Sequence, residues 1–175
     1  MKKRNVLQQG FTLIELLVVI AIISILAVLV FVALNPAKRF QDSRNDRRSI
    51  DTGEILTAVH ECIVDNAGSI YSATGPDCLS TAGGAALTTN DTYEIVTGAT
   101  NSNCNVDGTG CTTATSATHC AKLDTNLEAY LKSIPTDPGG VVSGHTEYSV
   151  SIDSNNIVTI GSCSAEAGVA ISASR

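Results

Sequence analysis

Residues 11–34 run for 24 positions with a single charge, Glu15. As a helix this segment would measure about 36 Å, enough to cross a hydrocarbon core about 30 Å thick. A chain of 175 residues has too little remaining material to cover such a helix on every side, which argues against a buried core helix. A secretory signal peptide is also a poor description. Its apolar region is shorter, and no convincing Ala-x-Ala site comes before Asn35-Pro36-Ala37-Lys38-Arg39. Apolar residues reach 43% and the mean hydropathy is +0.18, but the surplus lies mostly in this one block. With no second run, a multi-span membrane protein is excluded. Intrinsic disorder needs low hydrophobicity and high net charge, which this chain lacks. A net charge of −6 argues against a broad basic surface for nucleic acid, and no direct nucleic-acid site is evident.

Lys2, Lys3 and Arg4 precede the run, while Lys38, Arg39, Arg44, Arg47 and Arg48 lie after it, so flanking charge alone does not orient the chain. The cysteines do. Cys62, Cys78, Cys104, Cys111, Cys120 and Cys163 all lie beyond the run, with no Cys-x-x-Cys pair. An even set without metal-ligand spacing reads as disulfides in an oxidising exterior, which puts this part outside the cytoplasm. Six cysteines allow fifteen pairings. The assignment adopted is Cys104–Cys111 as a local loop and Cys62–Cys78 tying a helix to the segment after it, leaving Cys120–Cys163.

The basic leader ending in Gly10, then Phe11-Thr12-Leu13-Ile14-Glu15 and the long apolar run, resembles the class III signal of type IV prepilins. The resemblance covers residues 1–34 closely and the next helix loosely. It implies cleavage between Gly10 and Phe11 by prepilin peptidase, N-methylation of Phe11, and an assembly role for Glu15. It also implies an α+β fold: a long N-terminal helix, its first half membrane-spanning, packed on a small antiparallel β-sheet head stabilised by disulfides. Two departures stand out. Where many pilins carry a Gly and a Pro within the helix, this chain has Ser24 and Val32, and its helix-breaking element comes later, at Asn35-Pro36.

Glu15 can be argued without the family. A carboxylate inside the bilayer costs a few kcal/mol, so it calls for a use or a partner. One reading is a residue that simply reaches the headgroups. The other is an ion pair with the amine of Phe11 on a neighbouring subunit, an amine that cleavage creates and that is cationic at neutral pH. Glu15 lies about 6 Å along the helix from Phe11, so pairing between chains imposes an axial offset. Repeated offsets generate an open helical filament.

The expected organisation is a leader at 1–10, a transmembrane or filament-core helix at 11–34, a continuing amphipathic helix at 35–67 and a head at 68–175. Ile55, Val59, Cys62 and Ile63 form an apolar stripe at helical spacing, and Arg47/Asp51 are spaced i,i+4. The basic cluster from Arg39 to Arg48 reads either as a solvated face or as a contact for lipid headgroups or acidic neighbours. Residues 35–51 hold five basic and three acidic groups, whereas 52–175 hold three basic and thirteen acidic. Residues 68–120 are loop-rich with one short strand at 93–97, and Asn90-Asp91-Thr92 is a formal sequon expected to carry no sugar. A short helix is expected at 121–133, with Leu123, Leu127, Tyr130 and Leu131 on one side. Ile134-Pro135-Thr136-Asp137-Pro138 is similar to a segment of major pseudopilins and some pilins. A hairpin is expected at 145–163 and a frayed tail at 164–175.

Catalytic patterns are sparse. His60, His119 and His145 form no His-Glu-x-x-His motif, and no nucleophile elbow or phosphate loop occurs. His60-Glu61-Cys62 are helix neighbours and do not face one another. Asp137, Glu147 and Asp153 are weak calcium candidates, and no cofactor is implied. The expected role is a structural, non-enzymatic subunit of a type IV pilus. Its partners would be further copies in a helical filament, the membrane, prepilin peptidase and the pilus assembly machinery. It would be a single-pass membrane protein before assembly and an extracellular filament afterwards. The alternatives are a pseudopilin of type II secretion and, more distantly, a membrane-anchored secreted enzyme or binding protein.

Overall fold

The computed structural model describes residues 10–72, 77–98, 104–106, 111–116, 119–141 and 144–175. Contacts divide the chain into two compact units, Met1–Phe40 and Gln41–Arg175.

In the first unit the apolar run is helix α1 (Leu13–Leu34), none of whose residues is buried. It is apolar on every side and long enough to cross a membrane. Ser24 donates its hydroxyl to the Ile20 carbonyl at 2.7 Å, so this polar group is satisfied inside the helix. Asn35 ends α1 in the left-handed conformation, φ 41° and ψ 69°. Helix α2 (Pro36–Asp65) restarts at once. Proline suits the first helical position, where the missing N–H is no loss. The Asn35 carbonyl accepts the Lys38 and Arg39 N–H groups at 3.1 and 3.4 Å.

The second unit is built from the rest of α2 and seven strands: β1 (Thr92–Val96), β2 (Cys104–Val106), β3 (Cys111–Ser116), β4 (Cys120–Lys122), β5 (His145–Ile152), β6 (Val158–Ser162) and β7 (Ser172–Ser174). Five form one sheet in the order β4-β1-β5-β6-β7, and β2 and β3 form a separate ribbon. Among the described residues only the β1–β4 pair is parallel. Ile55, Val59 and Cys62 of α2 join Ile95, Tyr148, Val150 and Ile160 of the sheet in one buried core. The fold class is α+β, pilin-like and disulfide-stabilised. Among the described residues, the loop-rich stretch before residue 121 thus contributes three whole strands, β1 to β3, and the first residue of β4, rather than one strand.

Residues 121–133 do not form the expected helix. Leu123 and Leu127 are fully buried, so the apolar spacing was a true core signal. Yet Cys120–Lys122 is drawn into the sheet beside β1, and turns come next, with Leu127 N–H bonded to the Leu123 carbonyl at 2.9 Å. Asp124 accepts from the Gly98 and Thr125 N–H groups at 2.9 and 3.0 Å, local bonds that compete with helix formation.

The disulfides are Cys62–Cys78, Cys104–Cys120 and Cys111–Cys163. The expected Cys104–Cys111 and Cys120–Cys163 pairs are not formed. In the β2–β3 ribbon Cys104 lies opposite Ser116, at the far end of β3 from Cys111. Proximity in sequence was the wrong guide because the ribbon sends one cysteine to β4 and the other to the turn after β6.

The basic cluster of α2 is divided: Arg39 and Arg47 are exposed, Arg44 is half-buried and Arg48 is internal. Arg48 is 2% exposed and grips Asp137 with two bonds, Nε to Oδ2 at 2.6 Å and Nη2 to Oδ1 at 2.9 Å. Its Nη1 donates to Asn45 and Glu166 at 2.8 and 3.1 Å. Arg44 binds Glu166 in the same forked manner, at 2.7 and 2.6 Å. Arg47 faces Asp51 at 2.9 Å, and Asp51 also accepts the buried Tyr148 hydroxyl at 2.8 Å. For Arg44 and Arg48, a solvated face or a headgroup contact is therefore overturned. The tail is not frayed either: Glu166 is held by both arginines, and β7 pairs with β6.

Sheet geometry delivers Asp137 to Arg48. The β1–β5 register slips between Glu94 and Val96, and Glu147 takes a φ of 61° at this irregularity. Thr146, beside it, accepts the Asp137 N–H through its carbonyl at 3.0 Å. Gly139 donates its N–H to Asp137 Oδ1 at 2.7 Å. A Cβ at Gly139 would stand 2.8 Å from that oxygen and 3.3 Å from Arg48 Nη2, so only glycine allows this closeness.

Removing one partner of a buried pair leaves the other uncompensated. Arg48→Ala should lower head stability by about 3–5 kcal/mol in urea unfolding, and Arg48→Met with Asp137→Leu should recover most of it. The Arg44 hydrogen bonds, aided by those of Arg48, hold the Glu166 carboxyl at about 2, below its ordinary 4.5. A depressed carboxylate stabilises above its unfolded pKa and stops doing so as pH falls through its folded one. The stability difference between wild type and Glu166→Gln should therefore be full near neutrality and vanish between about pH 4.5 and 2.

Candidate functional site

The residues singled out for processing and assembly, Gly10, Phe11 and Glu15, sit at the mouth of α1. Gly10 is exposed and Phe11 is 89% exposed. Thr12 is the N-cap, with extended backbone (φ −82°, ψ 152°). Its hydroxyl oxygen accepts the Glu15 N–H at 3.3 Å. Glu15 Oε2 in turn accepts the Thr12 N–H and the Thr12 hydroxyl, each at 2.8 Å. This is a reciprocal capping box. Two otherwise unpaired N–H groups are satisfied in this way. Both bonds fall on the same carboxylate oxygen, so Oε1 keeps its lone pairs for another donor.

Thr12 is the residue that sequence reasoning missed. Its signal was present: Thr-x-x-Glu directly before an apolar run is the sequence form of a capping box. Arg48 was missed in the same way. It continues the helical stripe of Ile55, Val59 and Cys62 backwards, at a spacing that places it on the buried face.

The remaining candidates are not brought together. Cys62 is bonded to Cys78, which removes it from any pairing with His60. Asp137 is engaged by Arg48, and Glu147 accepts the Ser164 hydroxyl at 3.0 Å. Asp153 closes its own turn by accepting the Asn155 and Ile157 N–H groups at 2.8 Å. The Ile157 bond is the main reason its pKa lies below the ordinary value. Among the described residues, no group of three or more His, Cys, Asp or Glu side chains is placed to hold a metal ion.

The capping box has a measurable signature. Thr12→Ala should speed hydrogen exchange of the Glu15 amide in micelles about fivefold, while Thr12→Ser keeps it near wild type. Unchanged exchange in Thr12→Ala would show that the box does not hold the helix end.

A protein-family model described as the prokaryotic N-terminal methylation motif matches residues 6–31. No curated protein and no solved structure matches the chain. The matched stretch contains Gly10, Phe11, the capped Glu15 and most of α1. The chain thus carries the class III signal peptide of type IV pilins and pseudopilins, on an α+β fold of the pilin-like kind.

Proposed function

We propose that this chain is the precursor of a type IV pilin subunit. Prepilin peptidase removes residues 1–10 by cutting between Gly10 and Phe11, and the new terminal Phe11 is N-methylated. The subunit waits in the membrane through α1, with its disulfide-bonded head outside the cytoplasm. The pilus assembly machinery then moves it into a helical surface filament. Glu15 pairs with the Phe11 amine of a neighbour through the carboxylate oxygen that Thr12 leaves open. Adhesion, motility or DNA uptake would be properties of the filament.

The observation that carries this reading is the methylation-motif match ending in an apolar helix whose one acid is Glu15. A pseudopilin of type II secretion remains a second reading, favoured by Ile134-Pro135-Thr136-Asp137-Pro138, the segment that delivers Asp137 to Arg48. The role is structural rather than enzymatic.

Mass spectrometry of the native protein should find N-methyl-Phe11 and no residues 1–10. Electron microscopy of sheared surface fractions should show filaments containing the chain, whereas a pseudopilin would leave them empty. Glu15→Ala should give a processed subunit that assembles poorly. Retention of the leader, or normal filament yield from Glu15→Ala, would count against the reading.

A further inference from the structure

Along α2, positions 50, 54, 57, 61 and 64 recur at helical spacing and form a second stripe distinct from the buried one. A hollow of about 470 Å³ runs along this stripe, floored by Gly53 and Ala58 and walled by Leu131 and Tyr130. Ile50 stands at its edge, 53% exposed. Glu54 and Glu61 line it, both exposed and in no ion pair among the described residues. The stripe offers apolar surface together with two carboxylates that form no ion pair among the described residues, Arg175 lining the adjoining hollow with Glu61.

The same chain carries the complement. Arg44 and Arg48 are committed to Glu166 and Asp137, and Arg47 to Asp51. Of the cations on α2 this leaves Lys38 and Arg39, both exposed and without a carboxylate partner among the described residues. Phe40 comes next, 65% exposed. Two cations and an aromatic ring match two carboxylates beside apolar walls.

We infer that this trough receives residues 36–40 of a second copy of the chain, with Lys38 and Arg39 meeting Glu54 and Glu61 and Phe40 covering Ile50. The inference rests on the filament reading and deepens it. Because the two patches differ, the contact is heterologous: each copy added leaves one trough and one basic neck unoccupied. Such a contact propagates as an open filament when its rotation does not close a ring, as the filament reading requires. It adds a water-exposed, salt-sensitive layer to the assembly outside the apolar helix.

The test uses assembled filaments of the full chain. A carbodiimide, which joins an ammonium to a carboxylate in contact with it, should yield a peptide linking Lys38 to Glu54 or Glu61. Dilute detergent-solubilised monomer should not. Lys38→Glu with Arg39→Glu should cut filament yield about tenfold, since like charges are then juxtaposed, with processed subunit levels unchanged. Adding Glu54→Lys and Glu61→Arg should restore most of the yield. Normal yield from the first pair, or wild-type filaments without the link, overturns the docking and leaves the filament reading intact. Loss without rescue assigns Lys38 and Arg39 to another partner, such as lipid headgroups, and also overturns it. A wild-type chain that never polymerises removes both readings.

Discussion

An arginine side chain that is 2% exposed keeps its charge only when its donors are answered, and in this head the carboxylate answers come from distant parts of the chain. Asp137 supplies a forked carboxylate and Glu166 a further oxygen, while Asn45 adds a side-chain carbonyl from the preceding turn of the helix. These bonds raise the Arg48 pKa still further above its ordinary high value. In meeting one buried charge, the chain fastens helix, bulged strand and tail to one another. Separately, the Tyr148 hydroxyl is bonded to Asp51, and burial together with that bond pushes the tyrosine pKa well up. An apolar core alone is non-directional. The forked ion pair adds direction, because a guanidinium accepts a carboxylate only in a narrow geometry.

In the N-terminal unit the problem is the reverse. Helix α1 buries nothing, so its surface has to be met by lipid or by other helices. Its one acid is answered locally by Thr12. Local satisfaction lets a carboxylate sit at the edge of an apolar segment without a second chain, and the oxygen left over is what a neighbour can use. A precursor and an assembled subunit would then differ in how one side chain is shared, with no need for a change of fold.

Much of this was legible beforehand. The apolar run, the restart at Asn35-Pro36 and the stripe of Ile55, Val59 and Cys62 come from local rules of length, backbone preference and period. The hairpin of β5 and β6 was visible in the alternation of Tyr148, Val150 and Ile152. The buried leucines at 123 and 127 were found too, but their spacing was read as a helix, because a period of four cannot tell a helix from successive turns. The disulfide partners and the burial of Arg48 were not legible. Each depends on residues 16 to 118 positions apart.

The sequence alone determined the local part: which segment is apolar and long enough to cross a membrane, and that a methylation motif leads into it. Those properties are set by residue type and near neighbours. Tertiary structure decided which cysteines meet, that Arg48 turns inward from an otherwise exposed or half-buried basic cluster, and that a tail of small residues becomes an edge strand. The reason is that charges and thiols choose partners by distance in space, and those distances are set by how α2, the sheet and the loops pack together.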